Sequence, residues 1–213
     1  MKNGDLHGNA PDKSQIALLL IDTINDLEFE GGEELFLSAL PAAKKIAQLK
    51  QRARQAHVPI IYVNDNFGRW RSDFKRIVTH CLDDNVRGGP IAKLLQPDDE
   101  DYFVLKPKHS GFFSTTLDLL LEHLGTRVLV LTGFAGNNCV LFTANDAYMR
   151  DYQLIIPSDC IASITQADTD NALRQMQQVL KAEIRLSSEV DFTRSQENAA
   201  EASRSLRAAR RAS

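Results

Sequence analysis

The feature that most constrains this chain is a series of short aliphatic runs, separated by segments with helical spacing of apolar residues. Ile16–Ile21 (IALLLI), Pro59–Asn64 (PIIYVN), Tyr102–Leu105 (YFVL), Arg127–Leu131 (RVLVL) and Gln153–Ile156 (QLII) are apolar at successive positions rather than alternate ones. Ala182–Leu186 adds a short sixth run. A strand that is apolar on both faces must be covered on both faces, which is the condition of a parallel sheet between two helical layers. The intervening segments supply the helices: Glu33–His57, with Pro41 as a first-turn residue and Ile46, Leu49, Ala53 and Ala56 on one side, then Ser114–Leu124, Asn138–Arg150 and Thr165–Leu180. The expected fold class is α/β: a three-layer α/β/α sandwich around a mostly parallel, six-stranded, Rossmann-like sheet.

Composition narrows the class further. The chain has 213 residues, 43 % of them hydrophobic and 25 % charged, enough for one domain with a sizeable core. A formal net charge of −3 does not suit a nucleic-acid binder with a dominant basic face. A membrane-spanning helix needs about 20 apolar residues, and the longest aliphatic run is Ile16–Ile21, so no membrane association is expected. Residues 1–15 read as a polar leader without the apolar core of a secretory signal. Residues 16–190 read as the catalytic-type domain, and 191–213 as a basic polar tail; from Thr193 onward the tail carries five Arg against two Glu. The three cysteines, Cys81, Cys139 and Cys160, are widely spaced and include no CxxC pair. That excludes a disulfide framework or a structural zinc site and fits a reducing, cytoplasmic location. Between Asn66 and Asp101 lies a long polar stretch rich in Gly, Pro and Asp, with one helix expected near Ser72–Cys81. A loop of that length in a compact domain points to function.

In parallel α/β sheets, sites form at the carboxyl ends of the strands, at the point where strand order reverses. Asp22 follows the first run, Lys106 follows the third, and Cys139 lies just beyond the fourth, after the small-residue turn TGFAGNN. Each residue type has an ordinary structural use: an Asp caps a helix, a Lys faces solvent, a Cys fills a small buried space. Together at one sheet edge they form a chemical set. A thiol is a weak nucleophile at its free pKa of about 8.5, and a cation and a helix start lower that value. An adjacent carboxylate takes the thiol proton, and the amides of a small-residue turn hold an oxyanion.

The local sequences resemble the isochorismatase-like cysteine hydrolase superfamily, which includes nicotinamidases, N-carbamoylsarcosine amidases and isochorismatases. Three motifs carry the resemblance in order: LLLIDTINDL (Leu18–Leu27), KPKHSGFFSTTL (Lys106–Leu117) and TGFAGNNCVLFTANDA (Thr132–Ala147), with YMRDYQLIIPSDCIAS (Tyr148–Ser163) as a fourth block. The resemblance implies that Asp22, Lys106 and Cys139 are catalytic, with Cys139 as nucleophile. It implies a cis peptide between Phe134 and Ala135 that aims the Ala135 amide, with the Cys139 amide, at an oxyanion. It also implies a small-molecule substrate and a homodimer or homotetramer.

Departures from the family pattern narrow the reading. The vinyl-ether-cleaving isochorismatases of siderophore pathways lack the nucleophile that Cys139 supplies, so acyl chemistry on an amide or carbamoyl group is favoured. Nicotinamidases hold a metal through D-x-H after the second strand; here Asp65 is followed by Phe67, and His80 is the next His, so neither metal nor other cofactor is expected. Ile24, Leu27, Asn66, Trp70, Phe112 and Asn138 are the candidate pocket residues. Arg69, Trp70 and Arg71 either cover the pocket, with Arg holding a substrate carboxylate, or form a solvated loop anchored by Trp70. His109 is read as a packing or rim residue. The leading expectation is a metal-independent cysteine hydrolase of a small amide or carbamoyl compound that works through a thioester. The alternatives are a vinyl-ether hydrolase and a non-catalytic interaction protein on the same fold, with the tail and the insertion as its working parts.

Overall fold

In a computed structural model the described residues are 13–67 and 73–193. The first run forms β1 (Ile16–Ile21) and leads into the long helix α1 (Gly32–Gln55). Then follow β2 (Ile60–Asp65), α2 (Phe74–Asp83), α3 (Gly89–Leu94), β3 (Tyr102–Lys106) and α4 (Leu117–Leu124). Next come β4 (Val128–Phe134), a π turn over Gly136–Val140 and α5 (Leu141–Tyr148). The chain closes with β5 (Gln153–Pro157), β6 (Ile161–Ala162), α6 (Gln166–Gln178) and β7 (Glu183–Arg185).

The strands lie in the order β3-β2-β1-β4-β5-β7, and every described pairing is parallel. Two-residue β6 replaces β5 beside the upper part of β4, pairing Gly133 with Ile161 and Phe134 with Ala162. The sheet therefore has seven strands rather than six, because β6 is too short to show as an aliphatic run. Alternate residues of the central strands feed two separate cores. Ile16, Leu18 and Leu20 pack with α1, α2 and α3, while Ala17, Leu19 and Ile21 pack with α4, α5 and α6. The period of two in a doubly apolar strand thus becomes two helical layers.

Three local details differ from expectation. Helix α1 begins well before Pro41, after Gly31 in the left-handed region (φ 82°), and runs through the proline. Pro41 removes one backbone donor inside a helix, but it is exposed, so the carbonyl left without that donor is within reach of water. The segment 66–101 holds α2 and α3 rather than a loop with one helix. Asp73 caps α2 by accepting from the Arg76 amide at 2.8 Å, and Ile91, Ala92 and Leu95 bury the short α3. At the start of the domain, Ser14 and Gln15 already bond the α4–β4 connection, through Ser14 N–H to Leu124 O at 2.9 Å and Arg127 N–H to Gln15 O at 2.9 Å. Residues 1–12 of the expected leader, the tail from residue 194, and Arg69, Trp70 and Arg71 lie outside the described residues. Among the described residues no helix is long and apolar enough to cross a membrane.

Strand order reverses between β1 and β4, and there the two backbones touch. Gly133 pairs with Ile21, has φ 137°, and a Cβ on it would stand 2.1 Å from the Ile21 carbonyl oxygen. Gly125, which ends α4 at φ 77°, has only Gln15 Nε2 near such a Cβ, at 3.9 Å. Gly125→Ala should therefore cost about 1 kcal/mol, from backbone conformation alone. Gly133→Ala should cost more than about 3 kcal/mol, because backbone must move as well. Thermal unfolding of the two variants checks the order; equal losses would show that β1 and β4 can separate freely.

Candidate active site

Four adjacent strands each deliver one polar side chain to the carboxyl edge of the sheet. Asp22 leaves β1 in the left-handed region, φ 51°, with its amide on Val63 O at 3.0 Å. A non-glycine residue held there is the kind of strain that functional sites retain. Asp65 ends β2 and Lys106 ends β3, and the two are register partners. Cys139 comes from the π turn beyond β4.

Lys106 is the centre of the cluster. Its side chain is fully buried, and Nζ lies 2.9 Å from Asp22 Oδ2, 3.3 Å from Asp65 Oδ2 and 3.5 Å from Cys139 Sγ. Asp22 is fixed from its other side, where Oδ1 accepts from the Asp65 amide at 2.8 Å. Burial pulls the Lys106 ammonium toward deprotonation, but the charges of Asp22, Cys139 and Asp65 outweigh it and raise its pKa. The lysine is a fixed cation.

The thiol behaves differently from the sequence-based expectation. Burial raises the Cys139 pKa first, the Asp22 carboxylate adds to it both by charge and as hydrogen-bond acceptor, and Lys106 only partly opposes them. The thiol is pushed up to about 12. Cys139 is therefore a neutral thiol that donates to Asp22, not a standing thiolate, and Lys106 moderates its pKa without depressing it below the ordinary value.

The turn that presents Cys139 is built without a cis peptide: among the described residues none occurs, and the Phe134–Ala135 bond is trans. The reversal expected of the cis bond is made by Gly133 at φ 137° and by Ala135 in the left-handed region at φ 53°, ψ 53°. Ala135 O accepts from the amides of Asn138 at 2.9 Å and Val140 at 3.4 Å, closing the turn. Gly136 has no room for a side chain, since a Cβ would stand 2.5 Å from Ile161 Cγ2. The helix bearing Cys139 is also tied to the loop after Lys106: Thr143 Oγ1 donates to Cys139 O at 2.7 Å and accepts from the Gly111 amide at 3.0 Å. Ser110 adds a hydroxyl bond to the Asp146 carboxylate. The Ser and Gly after the lysine and the Thr and Asp after the cysteine thus clamp the two motifs together.

The expected pocket residues divide. Asn66 is buried next to the cluster, its amide on Lys106 O at 3.0 Å, and Asn138 is half-buried in the turn that carries Cys139. Ile24 and Leu27 do not line an opening; both are fully buried in the core beneath α1, α2 and α3, because the chain after Asp22 dives back under the sheet. Phe112 is likewise core, against Tyr152 and under the Arg150 guanidinium. Trp70 lies outside the described residues. His109 packs against the Phe142 ring. A metal of the D-x-H kind does not suit these residues: Phe67 has no donor atom, Asp65 is engaged by Lys106 and by the Phe67 amide, and His80 is held between Asp26 and Asp84. Sequence reading weighed Asp65 only as a metal ligand and missed it as a partner of Lys106. The signal was present, since Asp65 ends a strand by the same rule that selected Lys106.

Comparison with known proteins identifies the family of the chain. A family model described as the isochorismatase domain matches residues 16–187. The isochorismatase family protein YaaI of Bacillus subtilis is 49 % identical over 172 residues, covering 81 % of this chain and 94 % of that one. The ureidoacrylate amidohydrolase RutB of Pantoea ananatis is 43 % identical over 170 residues, covering 68 % of each chain. Among solved structures, N-carbamoylsarcosine amidase of Thermoplasma acidophilum superposes with a TM-score of 0.65 at 26 % identity, over 83 % of this chain and 99 % of that one. A pyrazinamidase/nicotinamidase of Streptococcus mutans gives 0.63 at 28 % identity, over 80 % and 99 %. With the family model running from the first strand to the turn after the last, the chain belongs to the isochorismatase family of hydrolases.

Proposed function

We propose that this hydrolase cleaves the C–N bond of a small amide or carbamoyl compound through a thioester on Cys139, without a metal. The observation that carries the proposal is the contact of one buried ammonium with both a carboxylate, at 2.9 Å, and a sulfur, at 3.5 Å. The names of the relatives RutB and N-carbamoylsarcosine amidase support the substrate class.

The neutral thiol sets the order of events. Asp22 takes the Cys139 proton as Sγ attacks the carbonyl carbon, so charge separation is deferred until substrate is in place. The amides of Ala135 and Cys139 receive the oxyanion; the left-handed Ala135 and the π turn support this assignment. Asp22 returns its proton to the leaving nitrogen, the C–N bond breaks and an amine departs. Water then attacks the thioester with Asp22 again as base, the C–S bond breaks, and the sulfur recovers its proton from Asp22. Lys106 stays protonated throughout and balances the charge that Asp22 and the sulfur exchange.

Cys139→Ala should lower amide turnover by at least about a thousandfold and leave the thermal midpoint nearly unchanged. Release of ammonia at the wild-type rate by the variant would defeat the mechanism, and persistent pyruvate release from a vinyl ether would favour the other hydrolase chemistry. Because the thiol is raised to about 12, alkylation of Cys139 by iodoacetamide should be slow at neutral pH and climb steeply as the medium turns alkaline. A rate already at its plateau at neutral pH would mean a standing thiolate. Lys106→Met removes the shared cation and leaves two carboxylates facing each other, so it should cost about 3–5 kcal/mol in denaturant unfolding. A cytoplasmic homodimer or homotetramer completes the proposal. Exposed Leu119, Phe142 and Met149 on α4 and the α5 end support association, and light scattering that shows a monomer at micromolar concentration rejects it.

A further inference from the structure

The charges at the site do not cancel. Asp22 and Asp65 set two carboxylates against the single ammonium of Lys106, and Cys139 adds a neutral thiol. The excess charge has a definite place. Lys106 lies nearer to Asp22, at 2.9 Å, than to Asp65, at 3.3 Å, so Asp22 is the better neutralised of the two. The Asp65 side chain is also 31 % exposed, whereas those of Asp22 and Lys106 are 8 % and 0 %. Asp65 therefore carries the residual negative charge outward. It is held in place, with Oδ2 toward Lys106 and Oδ1 accepting from the Phe67 amide at 2.6 Å. Asp65 and the Cys139 sulfur both lie within 3.5 Å of the same nitrogen. They are thus inside the ~8 Å screening length of physiological salt.

We propose that Asp65 determines specificity, selecting substrates that are uncharged around the scissile carbonyl, such as carboxamides and ureas, and rejecting those with a carboxylate directly beside it. An approaching amide or urea brings N–H donors, which an exposed carboxylate accepts. An approaching carboxylate brings only acceptors and a like charge, beside side chains that are mostly withdrawn from water, where repulsion is strong. The inference rests on Cys139 as the nucleophile, but it concerns the charge that reaches the sulfur, not turnover.

The test uses two small alkylating agents of similar size and opposite character, neutral iodoacetamide and anionic iodoacetate, on the folded full chain. Labelling of the Cys139 peptide is followed by mass spectrometry, with N-acetylcysteine as the reference thiol. The iodoacetamide-to-iodoacetate rate ratio at Cys139 should exceed that of the reference by about tenfold. It should fall toward the reference in Asp65→Asn and be retained in Asp65→Glu. A wild-type ratio equal to the reference overturns the proposal without need of any variant. So does an Asp65→Asn ratio as large as wild type, or a folded protein whose Cys139 neither reagent labels in an alkaline medium, where the thiol reacts. Because no substrate is turned over, failure here is separable from failure of the Cys139→Ala assay.

Discussion

A fully buried ammonium organises the carboxyl edge of this protein's sheet. Taking a lysine out of water costs several kcal/mol unless counter-charges and hydrogen bonds replace its hydration, and Lys106 meets that demand with Asp22, Asp65 and the Cys139 sulfur. Each partner comes from a different strand. The parallel register makes this possible: β3, β2, β1 and β4 are consecutive in the sheet, so their carboxyl ends converge on one point. Misplacing β1, β2 or β3 would leave a charge without one of its partners.

The same cluster explains the state of the Cys139 sulfur. Lys106 favours its ionised form, but burial and the neighbouring Asp22 carboxylate outweigh that pull and hold the sulfur protonated. A neutral thiol is less open to oxidation than a thiolate. The same arithmetic leaves the site with one negative charge more than it neutralises, and the partly exposed position of Asp65 gives that charge a direction.

How much of the protein was legible in its sequence depends on the range of each interaction. The two helical layers could be read because a strand such as IALLLI buries both faces, a local property. Asp22, Lys106 and Cys139 could be read because each stands at or just beyond a strand end. Asp65 satisfied the same rule and was passed over, since its partner Lys106 is far away in sequence and only the β2–β3 register brings them together. Ile24 and Leu27 failed as pocket residues because the path of the chain after Asp22 is set by packing beneath α1, α2 and α3, which no local pattern reports. The short α3 and β6 escaped notice because elements of six and two residues leave almost no periodic trace.

The sequence by itself therefore determined the layer architecture, the strand edge at which polar side chains gather and three of the residues that meet there, since these depend on local hydrophobic spacing and on the residues at and just past each strand end. Only the tertiary structure decided the state of those groups. Whether the thiol is charged, which carboxylate faces outward and how the turn before Cys139 reverses without a cis bond depend on burial, on distances of a few ångströms between strands remote in sequence, and on the close approach of Gly133 to Ile21. Electrostatic energies in a low-dielectric interior change steeply with such distances, which is why residue order along the chain does not reveal them.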